Sequence, residues 1–372
     1  MNKSTIVFAA LALLAASCTK TELVTGDAQS AQRGIGFSAY TAKHTKAAQT
    51  DVQTSNFTSF EVSAIGNNAL YFDNVTFTKN AEGVWASTPV YFWPAYKLNF
   101  YAYNTPAKGT FTRTITKDAQ TLKFKPSTTL SEQEDLVAAY AGSKSESDAT
   151  SPNHSLALTF KHYLTQVVVN AKCSNAGYTV VVDSVKITNL AGEGTYSFST
   201  EKMVATTGLA NSTSSTDYGS KFNSKTLSSS ATEVMSDAGT GKWYLVPQTV
   251  TAWNQETDKT NTSKGTYLAL KVKITANNGT LKIYPISGDN SAWMAVPVPA
   301  SLTFAQGKKY IVTFDFFSTT GGGAGYVDPE KPSELDGIPS TEDNGKSIIG
   351  GAIKFSATVD PWTEVQEITI SL

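Results

Sequence analysis

Apolar and polar residues alternate along many short stretches of the chain. The stretch KLNFYAY at 97–103 places Leu98, Phe100 and Ala102 on one face, while the intervening positions are an asparagine and two tyrosines. This two-residue period is that of a β-strand with one buried face. Stretches of the same kind, separated by turn residues, recur at 57–65, 156–172, 178–190, 242–250, 266–276 and 308–317. We therefore expect an all-β protein built from β-sandwiches.

Helical periodicity is nearly absent from the sequence. The stretch SEQEDLVAA at 131–139 begins with Ser131 and carries Glu134 three residues later, which is the spacing of a helix capping box. It predicts one short helical turn between strands.

Two stretches near opposite ends of the chain are almost the same strand. IGFSAYT occupies 35–41, and IKFSATV occupies 353–359. The apolar side chains that share one face are Ile35, Phe37 and Ala39 in the first stretch and Ile353, Phe355, Ala357 and Val359 in the second. The repeat by itself favours two ordinary internal strands, because strands draw on few residue types.

Stretches that are poor in apolar residues divide the chain into parts. The polar stretch 141–153 is interpreted as a domain linker or long loop between an N-terminal β-sandwich at 47–152 and a C-terminal one at 153–347. Within the second sandwich, the Ser/Thr-rich stretch 205–241 is expected to be a weakly ordered insertion.

A further apolar-poor stretch, 321–347, precedes a predicted terminal strand pair at 348–372. The pair consists of IKFSATV and of VQEITISL, which alternates through Ile368, Ile370 and Leu372. A long connection of this composition would let the pair reach another molecule.

The N-terminus has the pattern of an export signal at 1–17. Lys3 precedes an apolar run that is too short to span a bilayer, and Cys18 follows small residues at the end of that run. This arrangement resembles the lipobox of bacterial lipoproteins, so we expect Cys18 to carry lipid and to become the mature N-terminus; the alternative is ordinary cleavage beside an incidental cysteine. With Cys18 lipidated, Cys173 is the only thiol left, and no intrachain disulfide can form.

The charge balance excludes one large class of partner. The chain has 30 Lys and Arg against 31 Asp and Glu, a net charge of −1. Nucleic-acid binding depends on a basic surface, so we expect no nucleic-acid partner.

Motifs for catalysis or cofactor binding are not found. The three histidines have no zinc-binding spacing, and no nucleophile elbow or phosphate loop occurs. The acidic residues of the stretch 321–347 miss the calcium-loop spacing and are interpreted as a solvated loop: Asp328, Glu330, Glu334, Asp336, Glu342 and Asp343. We predict neither enzymatic activity, nor a metal site, nor a cofactor.

Six tryptophans offer the only other candidate chemistry, because exposed indoles stack on sugars. They are Trp85, Trp93, Trp243, Trp253, Trp293 and Trp362. Large aromatics in β-sandwiches more often fill the core or cover a sheet edge, and we expect that role here.

A series of phrases, taken in order, resembles the fimbrillin family, the Mfa-like precursors of type V pilins. They are the leader ending in AASC, VYFWP (90–94), KLNFYAYNTP (97–106), EDLVAA (134–139), LTFKHYLTQVVVNAK (158–172), LVPQ (245–248), VPVPASLTFAQGKKYIVTFDF (296–316) and GYVDPEKP (325–332). The resemblance extends over nearly all of the chain after the leader. It implies two tandem transthyretin-like β-sandwich domains.

The resemblance also implies a route of assembly. An outer-membrane lipoprotein precursor is carried to the cell surface, where a trypsin-like protease removes its first strand. The emptied groove then accepts a strand from the next subunit, so that the partners are other fimbrial subunits. On this scheme 18–46 is a lipidated propeptide that holds IGFSAYT, the displaced strand, and a C-terminal stretch is the donor, with IKFSATV preferred and VQEITISL second.

The scheme predicts cleavage after a basic residue. Arg33 precedes IGFSAYT, so a cut there would leave the strand attached, whereas Lys43 and Lys46 follow it. Lys46 is the preferred site, although the family's usual residue is arginine. The competing hypothesis is a surface glycan-binding lipoprotein of a polysaccharide-uptake system, which would need exposed tryptophans.

Overall fold

The computed structural model describes residues 33–41, 57–81, 84–151, 154–207, 215–276, 278–286, 288–330 and 344–361. Over these ranges the chain forms strands and two single 3-10 turns, at Leu130–Glu132 and Glu146–Asp148. The all-β prediction is confirmed, and the helical turn predicted at 131–139 overlaps the first 3-10 turn. The predicted capping box is wrong, because Ser131 lies inside that turn and the Glu134 carboxylate accepts a hydrogen bond from the Ala107 amide. Neither described turn approaches the length or apolar character that a membrane-crossing helix needs.

The strands of the first half precede Tyr163. They are β1 (Phe37–Thr41), β2 (Ser59–Gly66), β3 (Ala69–Lys79), β4 (Trp85–Ala86), β5 (Leu98–Tyr103), β6 (Thr110–Ile115), β7 (Gln120–Lys125), β8 (Val137–Lys144) and β9 (Leu156–His162).

The remaining strands follow Leu164. They are β10 (Thr165–Cys173), β11 (Tyr178–Ala191), β12 (Glu193–Ser197), β13 (Lys202–Thr207), β14 (Ser215–Thr226), β15 (Thr232–Glu233), β16 (Trp243–Leu245), β17 (Gln248–Thr249), β18 (Tyr267–Ala276), β19 (Leu281–Tyr284), β20 (Ala292–Pro297), β21 (Thr303–Phe304), β22 (Lys308–Phe316), β23 (Tyr326–Val327) and β24 (Lys354–Pro361).

Seven strands of the first half form a closed barrel in the order β1-β4-β3-β2-β5-β8-β9. Every neighbouring pair in the barrel is antiparallel except β1 and β9, which run parallel. Alternate residues of each strand point inward, and phenylalanines fill much of the interior. Those that are fully buried are Phe37, Phe60, Phe77, Phe100 and Phe160.

The second half forms a β-sandwich. One sheet has the order β15-β10-β22-β24, and the other has the order β14-β11-β18-β20-β23. One hydrophobic core lies between them and takes residues from both sheets, among them Val169 of β10 and Leu270 of β18. Two sheets that each bury one face against the other are the usual construction of such a sandwich.

A third sheet joins the barrel to the sandwich. Its order is β13-β12-β7-β6, and Leu122 of β7 is the register partner of Tyr196 of β12. A separate core beneath it combines residues of both halves, and the Tyr196 hydroxyl donates to the Tyr163 hydroxyl at 3.0 Å. The two halves are therefore held together by this shared sheet as well as by the connecting chain.

The boundary predicted between residues 152 and 153 cuts through the barrel. The strands that flank the polar stretch 141–153 are β8 and β9, and both belong to the barrel. The chain passes into the sandwich only at 163–164, between β9 and β10. The run of alternating residues at 156–172 is thus two strands in different sheets, and its continuity hid the boundary.

The expectation of weak order in the stretch 205–241 is wrong for its described part. Residues Ser215–Thr226 form β14, which pairs with β11 at the edge of a sandwich sheet. Tyr218 and Phe222 of this strand are buried in the sandwich core. Two large side chains four residues apart supply enough apolar surface to fix a strand that is otherwise polar.

Candidate functional site

The first strand closes the barrel, and we call the space that it fills between β4 and β9 the β1 slot. All five residues of β1 are in register with β9, from Phe37 opposite Leu156 to Thr41 opposite Phe160. Against β4 there is one register pair, Phe37 with Trp85. The β9 side therefore supplies most of the backbone pairing that holds β1.

The chain just before β1 adds further backbone hydrogen bonds. The Ile35 amide donates to the Tyr91 carbonyl at 2.7 Å, and the Leu156 amide donates to the Gly36 carbonyl at 2.9 Å. Gly34 forms an isolated bridge with Phe92. These contacts extend the seated strand backwards to residue 34.

The side chains of Ile35, Phe37 and Ala39 all point into the barrel, with exposed fractions of 2%, 0% and 4%. The Phe37 ring lies 4.8 Å from that of Phe77 and 5.3 Å from that of Phe100, edge-on in both cases. Burying a phenylalanine contributes about 1.5–3 kcal/mol. Removing β1 would open a cavity at the centre of the barrel core and expose the backbone edge of β9.

Two glycines explain how the strand fits so closely. A Cβ on Gly34 would lie 2.7 Å from Val90 Cγ1, and one on Gly36 would lie 3.1 Å from Val84 Cγ1. Ordinary van der Waals contact between carbons begins near 3.5 Å. The alternation of glycine with Ile35 and Phe37 therefore presents a flat face to the chain at 84–91 and a bulky face to the core.

The sequence pattern does not reveal that β9 forms a wall of the β1 slot, because the predicted second domain, 153–347, includes β9. Its side chains alternate strictly between buried and exposed, and Leu156, Leu158 and Phe160 point into the barrel. That alternation was legible in LALTFKH, but alternation does not say which strands are neighbours.

The predicted processing residues lie largely beyond the described ranges. Arg33 is exposed and stands directly before the seated strand. Cys18, Lys43 and Lys46 lie outside the described residues, and their roles stay predictions.

The preferred donor strand already has a partner in its own chain. Residues Lys354–Pro361 form β24, which pairs with β22 over eight register positions at the edge of the sandwich. Ile353 and Ala357 are buried in the sandwich core, and Val359 packs against it. The separate terminal unit predicted at 348–372 therefore begins inside the sandwich. Of VQEITISL, the residues Ile368, Ile370 and Leu372 lie outside the described residues.

The tryptophans do not form a sugar platform in the described part of the chain. Their exposed fractions are at most 3%, for Trp85, Trp93, Trp243, Trp253 and Trp293. Trp362 lies outside the described residues. The indoles are core residues, as expected.

Candidate catalytic groups are also enclosed. The Nδ1 atom of His162 lies 2.5 Å from Oδ2 of Asp135, and both side chains are buried where β9 ends. Within the described ranges, no three His, Cys, Asp or Glu side chains are arranged to hold a metal ion.

The interpretation of the acidic residues as a solvated loop is wrong for the two that the structure describes. Asp328 is fully buried. The Glu330 Oε1 atom accepts hydrogen bonds from the side-chain amides of Asn189 and Asn261, at 3.0 and 2.7 Å. The other four lie outside the described residues.

Comparison with known proteins identifies the class to which this barrel and sandwich belong. A family model described as fimbrillin-like matches residues 24–325. The chain therefore belongs to the fimbrillin-like family, a family of fimbrial structural proteins that are not enzymes. A search of curated protein sequences finds no significant match.

Solved structures resemble the chain at low sequence identity, and one of them, a fimbrial protein, shows the same fold. A fimbrial protein from Bacteroides vulgatus superposes with a TM-score of 0.54 at 16% identity, covering 88% of this chain and 99% of that one. A protein from Bacteroides uniformis, provisionally described as a cell adhesion protein, gives a TM-score of 0.48 at 14% identity, with 89% and 99% covered. The fimbrial anchor protein Mfa2 from Porphyromonas gingivalis gives 0.35 at 10% identity, with 76% and 90% covered.

Proposed function

We propose that this chain is a structural subunit of a cell-surface fimbria, with a role in adhesion, and that it polymerises by strand exchange at the β1 slot. The observation that carries the proposal is that β1 fills a central place in the barrel core yet precedes every other barrel strand. A single cut between β1 and β2 therefore separates it from the rest of the chain. Membership of the fimbrillin-like family supports the same conclusion.

Loss of β1 would leave apolar core surface and a sheet edge open to a replacement strand. The barrel would expose the apolar surroundings of Ile35 and Phe37 and the unpaired backbone groups of β9. Exposed strand edges of this kind are templates for an incoming strand, which adds backbone hydrogen bonds and places alternate side chains in pockets. The replacement must repeat the two-residue apolar period of β1.

We favour VQEITISL as the donor over IKFSATV. The latter lies in β24, which is held by eight register positions against β22 and contributes Ile353 and Ala357 to the sandwich core. Its release would cost that pairing. VQEITISL has Ile368, Ile370 and Leu372 at the required period and follows β24 after residues 362–364.

Exchange of this kind joins different surfaces of successive subunits. A head-to-tail contact does not close on itself, and so it generates a filament. The partners are then other fimbrial subunits and a trypsin-like processing protease. Before trimming, lipid on Cys18 holds the precursor to the outer membrane.

The test is to trim the purified full chain with trypsin, to run it on a non-boiled denaturing gel and to view it by electron microscopy. We expect a ladder of polymers and filaments. Replacing Ile370→Asp should abolish the ladder, since an aspartate would be forced into an apolar slot without a partner. Phe355→Asp should leave polymerisation intact if β24 stays in its own chain.

Thr369→Asp is the matched control, because the residue next to Ile370 would face away from the slot if this segment docked as a strand. It should polymerise as the wild type does. If only Phe355→Asp loses the ladder, IKFSATV is the donor, and if both aspartate variants lose it, both segments cross over. Polymers from all three variants would overturn strand exchange by this terminus.

The alternative, a glycan-binding lipoprotein, gains no support from the described tryptophans, which are all buried. Saturable sugar binding by a trimmed protein that does not polymerise would favour it.

A further inference from the structure

The sandwich contains a lysine and an aspartate that are buried together. Lys186 lies on β11, and Asp328 directly follows β23. The Lys186 Nζ atom is 2.5 Å from Asp328 Oδ2, and their side chains are 4% and 0% exposed. Because Oδ2 is one carbon–oxygen bond, ~1.2 Å, from Cγ, the amine lies within about 3.7 Å of the carboxyl carbon. That is close to the separation from which bonds form.

The pair is enclosed by aromatic rings. Lys186 Nζ lies 4.8 Å from the centre of the Trp293 ring and 5.5 Å from that of Tyr267. Trp253 packs against Tyr267 in the same cluster. Removing both charges from water in this way has a large free-energy cost.

Hydrogen bonds hold the Asp328 carboxyl group in place beside Lys186. The Tyr267 hydroxyl and the Glu330 amide both donate to Asp328 Oδ1 at 2.9 Å, which holds the carboxyl group in place. Lys186 Nζ donates no hydrogen bond within the described part of the chain, so its approach to Oδ2 is its one polar contact there. The amine therefore lies beside a carboxyl group that is itself fixed.

We propose that Lys186 and Asp328 join in an intramolecular isopeptide bond after the chain has folded. Proton transfer within the pair first gives a neutral amine and a neutral carboxylic acid. The Nζ lone pair attacks Cγ to form the carbon–nitrogen bond of a tetrahedral intermediate. The carbon–oxygen bond to the hydroxyl then breaks, and that hydroxyl leaves with a proton from nitrogen as water. The products are one amide and one water molecule, and no oxidant or other reactant is needed.

The role of carrying the proton from nitrogen to the leaving hydroxyl is assigned to Asp217, which lies on β14, the strand that pairs with the Lys186 strand β11. Burial raises the pKa of its carboxyl, against the opposing hydrogen bond from the Asn189 amide and the nearby charge of Lys186. A positioned carboxyl group can accept a proton from one reacting atom and return it to another. The other nearby carboxylate, Glu330, is occupied by two amide donors and by Lys264 at 3.4 Å.

The bond would tie together two parts of one sheet that are not neighbours. In the order β14-β11-β18-β20-β23, two strands lie between β11 and β23. A covalent link from Lys186 to Asp328 would prevent the sheet from separating along any of these intervening pairings. If the chain is a fimbrial subunit, as proposed above, the link would also resist tension along the filament, but its formation does not depend on that function.

The test is the intact mass of the purified full chain. We expect the wild type to be lighter than its sequence by the mass of one water molecule. Proteolysis should give a branched peptide that joins the Lys186 and Asp328 segments, and trypsin should not cut after Lys186. The variants Lys186→Arg and Asp328→Ala should have the full sequence mass. Asp217→Asn should fold but lose the bond or form it more slowly.

A more exposed ion pair of the sandwich serves as the internal control. Lys172 Nζ lies 3.2 Å from Asp315 Oδ2, with the lysine side chain 32% exposed, so its ions stay hydrated and should not condense. A wild-type chain of full mass that gives the circular dichroism of a folded β protein would overturn the proposal and leave a simple ion pair. A missing water located at any other residues would overturn it as well. Unslowed bond formation in Asp217→Asn would overturn the role of Asp217.

Discussion

The Phe37 ring of the first strand lies edge-on against the Phe77 ring of β3, with centroids 4.8 Å apart and planes inclined at 73°. The Phe37 ring also lies 5.3 Å from that of Phe100 on β5, and at least two strands separate β5 from β1 either way round the barrel, so Phe37 reaches across the core instead of covering its rim. Edge-to-face pairs contribute about 0.5–1.5 kcal/mol beyond burial of their area. The strand that we propose to be removed therefore supplies a central part of the precursor core.

The precursor should depend strongly on Phe37, and the polymer should not. Phe37→Ala leaves a cavity in the barrel core, and we expect it to lower the free energy of unfolding of the precursor by about 3–5 kcal/mol. Urea unfolding of the untrimmed chain measures this loss. The trimmed variant should polymerise as the wild type does, since the strand that carries residue 37 is gone.

Phe77→Ala provides the comparison, because Phe77 stays in the barrel after trimming. It should destabilise both the precursor and the polymer. Ser38→Ala changes the next residue along β1, whose hydroxyl has no hydrogen-bond partner in the described ranges, and should have little effect. A polymer that weakens on Phe37→Ala would contradict removal of β1.

Locking β1 into the barrel should stop exchange. Ser38 and Ala157 are register partners across the β1–β9 pairing, so the double variant Ser38→Cys, Ala157→Cys brings two thiols together. With the disulfide formed, a trimmed chain should keep β1 seated and remain monomeric on a non-boiled gel. Reduction should release the strand and restore the ladder. Each single cysteine variant is a control and should polymerise with or without reductant.

Processing should occur between β1 and β2. We expect N-terminal sequencing of assembled protein to begin at Ala47, which places the cut after Lys46, and Lys46→Ala should slow both trimming and assembly. Lys43→Ala tests the second site. An assembled protein that begins at Gly34 would retain β1 and would be incompatible with exchange at the β1 slot.

Membrane attachment of the precursor should depend on Cys18. Cys18→Ser removes the only predicted lipid acceptor, so the precursor should move from the membrane fraction to the soluble fraction and lose palmitate labelling. Cys173→Ser is the matched control: this thiol is buried in the sandwich and should not affect either measurement. Unchanged fractionation of Cys18→Ser would refute lipidation at this residue.

Local periodicity was sufficient to determine the strands and the inward face of the first one. The positions of Ile35, Phe37 and Ala39 at every second residue require them to share a face, because side chains alternate across any extended strand. The same rule located most other strands and made the fold class all-β. These properties are local, since each depends only on neighbours in the sequence.

Which strands become neighbours was decided by tertiary structure alone. Nothing in LTFKHYLTQVVVNAK distinguishes its first part, which joins the barrel in β9, from its second, which joins the sandwich in β10. IGFSAYT and IKFSATV have almost the same pattern, yet one closes the barrel and the other pairs with β22. Strand pairing depends on contacts between distant residues, and a two-residue period fits any sheet with one apolar face.

The local sequence also did not determine whether a charged side chain is buried. Asp328 stands in a stretch so poor in core-forming residues that solvation was the natural expectation, yet it is fully buried beside Lys186. Its surroundings come from Tyr267 and Trp293, which belong to other strands of the sheet. Whether a carboxylate is solvated or enclosed depends on what packs over it, and that is a property of the folded chain.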